Sequence, residues 1–255
     1  FVKCIEDFMS VNQSQPFFIY WAGVLPHKAY DLVLEENAWN AMPVIDGMDI
    51  MNVTGREAEG TGSLQSNVEH MDDMLGYVQS KIVENGYDNN TIFVFTSDNG
   101  SSQYGKGSTS IDKGVHVPLA VAGAPIKRRG NVNRLFSLID WYNTLADFMG
   151  AGVDATRPNS QSWKAYLTNE SNSSPRKWMI SMRGTVDQNG TIDKRLIART
   201  KKFIVDGDDK FWDCRNVDLW SDCVEIDPET TRTSIYRKLN RKKDAILNDG
   251  YSDPT

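Results

Sequence analysis

The sequence lacks the features that mark several classes of protein. Its 28 Lys and Arg residues are outnumbered by 34 Asp and Glu, so a net charge of −6 leaves no basic field to attract nucleic acid. Three cysteines are too few for a disulfide scaffold and match no zinc-binding spacing. No apolar run approaches the length of a transmembrane helix. We therefore expect neither a nucleic-acid partner nor a membrane span.

The composition is that of a globular protein. Hydrophobic residues make up 40% and charged residues 24% of a 255-residue chain, which is enough for one large domain or for a domain with a small satellite. Cys214 and Cys223 could pair across a short loop and leave Cys4 alone, but three reduced cysteines are an equal alternative. Several glycosylation triplets occur, among them Asn52-Val53-Thr54 and Asn169-Glu170-Ser171, although such triplets also arise by chance.

The first part of the chain alternates between helical and strand patterns. Apolar residues at helical spacing predict an opening helix at 1–9 and a long helix at about 63–85. Nearly unbroken apolar runs predict buried strands at 16–24, 91–96 and 117–122, and the pattern at 135–149 predicts a short strand followed by a helix. Strand, helix and strand in this order predict a parallel βαβ unit.

The composition of the sequence changes near residue 155. Short β-like runs follow at 178–182, 195–199 and 202–205, and a helix is predicted at 233–247. Short, closely spaced strands after an α/β region favour an appended antiparallel sheet. We therefore predict an α/β domain over 1–155 and a small antiparallel-sheet subdomain over 156–255.

Polar side chains follow two of the predicted strands, where ligands of open α/β sheets gather. His27 follows the first, and Asp98-Asn99 follows the second. A carboxylate beside an amide carbonyl offers hard oxygen donors that suit Ca²⁺ or Mg²⁺, although Asn99-Gly100 is also a common turn. Lys106, between two glycines, could bring a positive charge to an anion or simply be solvated. We expect His27, Asp98, Asn99 and Lys106 to share one cleft.

Four segments in succession resemble signatures of the type I sulfatases, members of the alkaline phosphatase superfamily. They are Pro16–Tyr20 with Pro26-His27, then Phe95–Gly100, Gly105–Ser108 and Gly114–Pro118. The resemblance is strong over roughly residues 1 to 150 and weak beyond. It implies an alkaline-phosphatase-like mixed or parallel sheet flanked by helices, with a smaller C-terminal antiparallel sheet and helix. It also implies a sulfuric ester hydrolase that uses one Ca²⁺ and a formylglycine nucleophile.

The resemblance assigns a role to each candidate residue. Asp98 and Asn99 would be two of the Ca²⁺ ligands, Lys106 would contact a sulfate oxygen, and His27 would be a second sulfate contact or the proton donor to the departing alcohol. Fixed cations in these places would stabilise the charge that develops on the sulfuryl and leaving oxygens. The family's range implies a sulfated small molecule or carbohydrate as substrate, and an exported protein, periplasmic or extracellular.

The chain departs from the family where the nucleophile is concerned. The family's Cys/Ser-x-Pro/Ala-x-Arg motif fits none of the three cysteines, and Ser173–Arg176 carries its Arg one place early. Asp208-Asp209 could mimic the Asp-Asp pair of the calcium site, but a hairpin turn is expected there. The chain also opens inside a predicted helix at Phe1. We therefore expect the C-terminal portion of a longer enzyme, inactive alone and prone to associate with another chain.

Two alternatives stay open at this stage. The chain could be a non-catalytic sulfatase-like binding module, or it could belong to a phosphonate or phosphodiester hydrolase of the same superfamily.

Overall fold

The structure is a computed structural model that describes residues 2–11, 14–23, 25–27, 29–31, 36–38, 64–100, 114–157, 159–186, 192–215 and 223–249. The chain divides into two compact units, Phe1–Thr91 and Ile92–Thr255. The division predicted at residue 155 falls inside the second unit and stays a prediction. None of the described helices is long and apolar enough to cross a membrane.

Helices and strands follow one another along both units. The helices are α1 (Val2–Val11), α2 (Leu64–Glu84), α3 (Asp140–Phe148), α4 (Lys164–Leu167) and α5 (Thr233–Asp249). The strands are β1 (Ala29–Asp31), β2 (Glu36–Ala38), β3 (Ile92–Thr96), β4 (Leu119–Gly123), β5 (Trp178–Val186), β6 (Ile192–Thr200), β7 (Phe203–Val205), β8 (Phe211–Asp213) and β9 (Val224–Glu225). The predicted helices at 1–9, 63–85 and 233–247 are confirmed.

The buried face of the long helix α2 combines apolar and polar residues. Its buried side chains are Asn67, His70, Met74 and Val78, spaced by threes and fours along one face. The predicted apolar positions include Val68, which is 41% exposed. The predicted helix is confirmed: the apolar Met74 and Val78 are buried, and two polar residues, Asn67 and His70, take core positions on the same face.

The end of α2 follows from one glycine. Gly86 has φ 73°, a conformation that costs a glycine little. Its N–H donates to the carbonyl of Val83 and that of Tyr87 to the carbonyl of Ile82, which is the Schellman pattern of helix termination. The predicted end of this helix, at about residue 85, is therefore confirmed.

The strand predicted at 16–24 is wrong over its described residues. Residues 16–23 pair with no strand in the described part of the chain. Their side chains alternate between exposed and half-buried over 16–21 instead of being buried on both faces. Phe17 is half-buried and packs edge-to-face on Phe8 and Tyr87, whereas Phe18 and Tyr20 are 69% and 82% exposed. A strand is defined by hydrogen bonds to a distant neighbour, and an apolar run cannot reveal that neighbour.

The second unit holds two antiparallel sheets. β3 pairs antiparallel with β4. The parallel βαβ unit predicted from strands at 16–24 and 91–96 is wrong over the described residues, because 16–23 form no strand. The strands β5 to β9 make one sheet in sequence order, every pair antiparallel, which confirms the predicted C-terminal sheet. Leu239 of α5 is buried in the core of this sheet with Phe203, Val205 and Phe211.

A buried ion pair fixes the start of the antiparallel sheet to α3. The carboxylate of Asp140 is fully buried and accepts two hydrogen bonds from the guanidinium of Arg176, one of them from Nε at 2.9 Å. It also accepts the indole N–H of Trp163 at 3.1 Å and the backbone N–H groups of Gln161 and Ser137 at 2.9 and 3.0 Å. The arginine of Ser173–Arg176 therefore has a structural partner.

Asp208 and Asp209 belong to the turn between β7 and β8, as expected. Asp206 opens that turn and accepts the backbone N–H groups of Asp208 and Lys210 at 2.9 Å each. Asp209 has φ 61°, and its carboxylate accepts a hydrogen bond of 2.5 Å from the buried Lys243 of α5. Burial raises the pKa of Asp206 above its usual value. The hairpin turn expected at this aspartate pair is therefore confirmed.

Candidate functional site

The predicted metal pair stands at the carboxyl end of β3. The exposed carboxylate of Asp98 accepts the backbone N–H of Asn99 at 2.8 Å and its side-chain N–H at 2.5 Å. The hydroxyl of Ser97 donates to the carbonyl oxygen of Asn99 at 3.2 Å. These bonds hold a carboxylate and a side-chain amide next to each other at the end of one strand.

The chain that leaves this site returns to it. Gly100 donates its N–H to the carbonyl of Gly114 at 3.1 Å, and the hydroxyl of Thr96 donates to the carbonyl of Pro118 at 2.9 Å. The excursion that contains Lys106 therefore begins and ends beside Asn99, because β4 runs antiparallel to β3. Lys106 itself lies in 101–113, outside the described residues.

The antiparallel sheet supports the return point of this excursion. Val115, next to Gly114, packs against a buried cluster formed by Ile197, Ile204 and Cys214. Cys214 is joined to Cys223 by a disulfide with a sequence separation of 9 residues. The pairing left open by the sequence is thus formed, and Cys4 is the free and exposed cysteine. The disulfide therefore lies next to the cluster against which Val115 packs.

His27 is held by a residue that the sequence did not single out. The side-chain amide of Asn67, itself only 2% exposed on α2, donates to the backbone carbonyls of Pro26 and His27 at 3.4 and 3.3 Å. The imidazole of His27 is exposed. A buried asparagine that binds two successive carbonyls fixes the backbone of a turn and leaves the histidine side chain at the surface.

The structure brings together some of the predicted site residues. Asp98 and Asn99 are in contact, and the Lys106 segment is tethered at both ends beside them. His27 belongs to the first compact unit and Asp98 to the second, so their common cleft stays a prediction. A shallow concavity on α5, lined by Tyr236, Arg237, Asn240, Arg241 and Asp244, contains none of them.

The donor set fits part of a calcium site. Carboxylate and amide oxygens are the ligands that Ca²⁺ prefers, and the Asp98 side chain is open to solvent. Two side chains fall short of the six to eight oxygens that the ion takes. Among the residues that the structure describes, no group of three or more His, Cys, Asp or Glu side chains could hold a metal.

Two supporting residues escaped sequence reasoning for different reasons. Asn67 is a polar residue on a helix face that turned out to be buried, and only the 3.6-residue periodicity around Met74 and Val78 could have placed it there. Val115 had no local signal, because its contacts come from strands about eighty to one hundred residues later in the chain.

Comparison with known proteins identifies the family. The Sulfatase family model matches residues 1–151. The N-acetylglucosamine-6-sulfatase of the goat, Capra hircus, is 33% identical over 108 residues, which are 40% of this chain and 19% of that protein. An uncharacterised sulfatase of Escherichia coli, YdeN, is 27% identical over 143 residues, or 52% of this chain and 23% of that protein.

Solved structures share the fold at low sequence identity. The crystal structure of Ps i-CgsB matches 98% of this chain with a TM-score of 0.70 and 20% identity. The phosphonate monoester hydrolase SpPMH from Silicibacter pomeroyi matches 97% with a TM-score of 0.59 and 16% identity. This chain spans 54% and 59% of the lengths of those two proteins. Its fold is alkaline-phosphatase-like, and the chain belongs to the sulfatase family of the alkaline phosphatase superfamily.

Proposed function

We propose that this chain supplies one part of the active site of a calcium-dependent sulfuric ester hydrolase. The observation that supports this most is the Asp98–Asn99 pair at the end of β3, inside the region that matches the Sulfatase family. The pair stands where a ligand of an α/β sheet is expected, and its oxygen donors are chemically suited to Ca²⁺. Membership of the family makes sulfate-ester hydrolysis the leading activity.

Each remaining residue has a role in this proposal. Lys106 contacts a sulfate oxygen, and the hydrogen bond between Gly100 and Gly114, which flank its segment, supports this role. His27 contacts a second sulfate oxygen or gives a proton to the leaving alcohol. A Ca²⁺ ion held by Asp98 and Asn99 would add positive charge at the sulfuryl oxygens. In each role a fixed group meets negative charge that grows during S–O cleavage.

The nucleophile in this proposal is a formylglycine from polypeptide outside these 255 residues. The basis is that none of the three cysteines, at positions 4, 214 and 223, stands in the family's motif. Charge stabilisation and binding without a nucleophile leave an acceleration of about 10³ over water in a well-studied hydrolase, which is too little for an unactivated sulfate ester. We therefore expect no detectable turnover from the chain alone.

The proposed substrate is a sulfated carbohydrate, and the proposed location is outside the cytoplasm. Ps i-CgsB was also solved in complex with k-i-k-neocarrahexaose, and that structure shares the fold with a TM-score of 0.67. The goat relative is named for action on N-acetylglucosamine 6-sulfate. A disulfide at Cys214 supports an oxidising compartment for this chain.

Calcium titration tests the metal assignment separately from catalysis. Isothermal calorimetry on the chain should give weak binding, with a dissociation constant on the order of 1 mM or weaker, because water must complete the coordination. Asp98→Ala should abolish the heat, whereas Asp244→Ala, which removes an exposed carboxylate on α5, should leave it unchanged. Equal binding by the chain and by Asp98→Ala would refute the assignment.

An assay with a fluorogenic aryl sulfate and added Ca²⁺ tests the division of the active site. The expected result is no turnover by the chain alone and turnover by the full gene product. Turnover by the chain that disappears in Lys106→Ala would show that the nucleophile lies within these 255 residues after all.

A phosphonate or phosphodiester hydrolase is the second candidate, favoured by the structural similarity to the phosphonate monoester hydrolase SpPMH. The two activities differ in the reacting group but not in the need for fixed positive charge. Paired aryl sulfate and aryl phosphonate esters with the same leaving group should be compared on the full gene product. A higher kcat/KM for the phosphonate would replace the sulfatase proposal.

A further inference from the structure

Asn-x-Ser/Thr triplets, the acceptors of N-linked glycans, are unusually frequent in this chain. With 19 Asn and a total of 35 Ser and Thr among 255 residues, two or three triplets would arise by chance. The chain has seven, which begin at Asn12, Asn52, Asn89, Asn99, Asn169, Asn172 and Asn189. An excess of more than twofold points to use of at least some of them.

The fold places two of the described triplets, those at Asn89 and Asn169, where a glycan has room. Asn89 lies in a three-residue 3-10 turn, Asp88–Asn90, within the connection between α2 and β3, and each residue of that turn is exposed. Asn169 follows α4 with φ 65° and is also exposed. The two asparagines that the fold buries most completely, Asn67 and Asn143, belong to no triplet. A branched, hydrophilic oligosaccharide would cost nothing in packing at Asn89 or Asn169.

The disulfide gives independent support for the compartment. The bond between Cys214 and Cys223 requires an oxidising environment such as the lumen of the endoplasmic reticulum. That lumen is also where oligosaccharides are transferred to asparagine. One export route therefore accounts both for the crosslink and for the frequency of the acceptor triplets.

We propose that Asn89 and Asn169 carry N-linked glycans. In the transfer, Nδ2 of the asparagine attacks the anomeric carbon of an oligosaccharide carried on a lipid diphosphate. The bond between that carbon and the diphosphate oxygen breaks, a C–N bond forms, the amide loses one proton, and the lipid diphosphate leaves. No oxidant or reductant takes part. The inference depends on export of the chain and not on its catalytic activity.

The same reasoning leaves two described triplets unmodified. Asn172 is three residues from Asn169, and its side-chain oxygen accepts a hydrogen bond of 2.9 Å from Arg128. Asn99 is bonded through its side-chain amide to Asp98 in the proposed metal site, where a glycan would block access. The exclusion of Asn99 rests on the proposed function, whereas the assignments of Asn89 and Asn169 do not.

Mass spectrometry of the protein purified from its native source tests the proposal. Release of N-glycans by an amidase in oxygen-18 water converts each modified Asn into an Asp that carries one oxygen-18. Label is expected at Asn89 and Asn169 and not at Asn99. An unlabelled Asn89 or Asn169 overturns the assignment at that residue. Label at Asn99 would instead refute the proposed metal site and leave the glycan assignments standing.

Variants secreted by a eukaryotic host provide a matched control. Asn89→Gln should lose the mass of one glycan on denaturing gels. Asn90→Gln, in the same exposed turn, keeps the triplet at Asn89 intact and should retain that mass. Equal mobility of the two variants, before and after glycan release, would overturn the assignment of Asn89.

Discussion

Replacing Asp140 by Asn should destabilise the second unit more than any exposed charge change. The side chain keeps its shape but loses the charge that faces the guanidinium of Arg176, whose own side chain is only 9% exposed. The carboxylate accepts five hydrogen bonds, all from N–H donors. An amide can accept with its oxygen, but its NH₂ group must then point at donors.

The expected loss follows from the burial of the pair. Removing one partner of a buried ion pair leaves an uncompensated charge and costs about 3–5 kcal/mol. Because an amide retains part of the acceptor capacity, we expect about 3–4 kcal/mol for Asp140→Asn. Since about 1.4 kcal/mol is a factor of ten, the unfolding equilibrium constant should rise by a factor on the order of 10² to 10³.

Urea denaturation followed by the fluorescence of the seven tryptophans measures this loss, and these include Trp163, whose indole N–H donates to Asp140. Glu225→Gln makes the same chemical change in the exposed Lys210–Glu225 pair, where both side chains are about half exposed. That control should change the free energy of unfolding by about 0–1 kcal/mol. A loss below about 1 kcal/mol for Asp140→Asn, or equal losses for the two variants, would refute the reasoning.

Three further predictions follow from local geometry. Gly86→Ala should destabilise the protein by about 1 kcal/mol, because a φ of 73° strains an alanine. Gly76→Ala, in the middle of α2, should stabilise it by about 0.5–1 kcal/mol, because an added Cβ there meets nothing within 4 Å. Thermal melts that show the same sign for both variants would contradict this. Cys214→Ser breaks a crosslink that closes a short loop and should cost about 2–3 kcal/mol, and adding a reductant to the unaltered chain should reproduce the loss. The hydroxyl and backbone N–H of Thr156 hold the pKa of Asp154 below its usual value. These bonds therefore contribute to folding stability above the usual pKa, and the contribution is lost as pH falls through the folded-state pKa. NMR titration of Thr156→Ala should show a higher Asp154 pKa, and an unchanged value would rule out the hydroxyl as the main cause.

Sequence reasoning located the elements whose signals are local. Helix α2 ends at Gly86 because one glycine supplies the positive φ that the stop requires. The turn at Asp208 and Asp209 was expected from its short polar residues between strands. The position of Asp98-Asn99 at the end of β3 followed from an apolar run that stops at a polar pair. In each case a few neighbouring residues contain the whole cause.

Pairing and burial were decided only by the tertiary structure. The apolar residues 16–23 predicted a strand, but Tyr20 is 82% exposed and no described strand pairs with the segment. β3 pairs antiparallel with β4, which lies more than twenty residues later in the chain, whereas the sequence predicted a parallel strand at 16–24 in the same sheet. Strand hydrogen bonds join residues far apart in the chain. Hydrophobicity therefore indicates that a segment favours burial, but not which segment packs or pairs against it.

The supports of the candidate site show the same limit. The residue types at Asp98, Asn99, Lys106 and His27 are compatible with hard-oxygen coordination and fixed positive charge, and the resemblance to the sulfatases selected that interpretation over an ordinary turn and a solvated lysine. That Asn67 would bind the turn at His27 could not be read from the sequence. This contact requires a helix some forty residues later in the chain to place one buried amide beside the turn, and only the packing of α2 decides which of its residues is buried there.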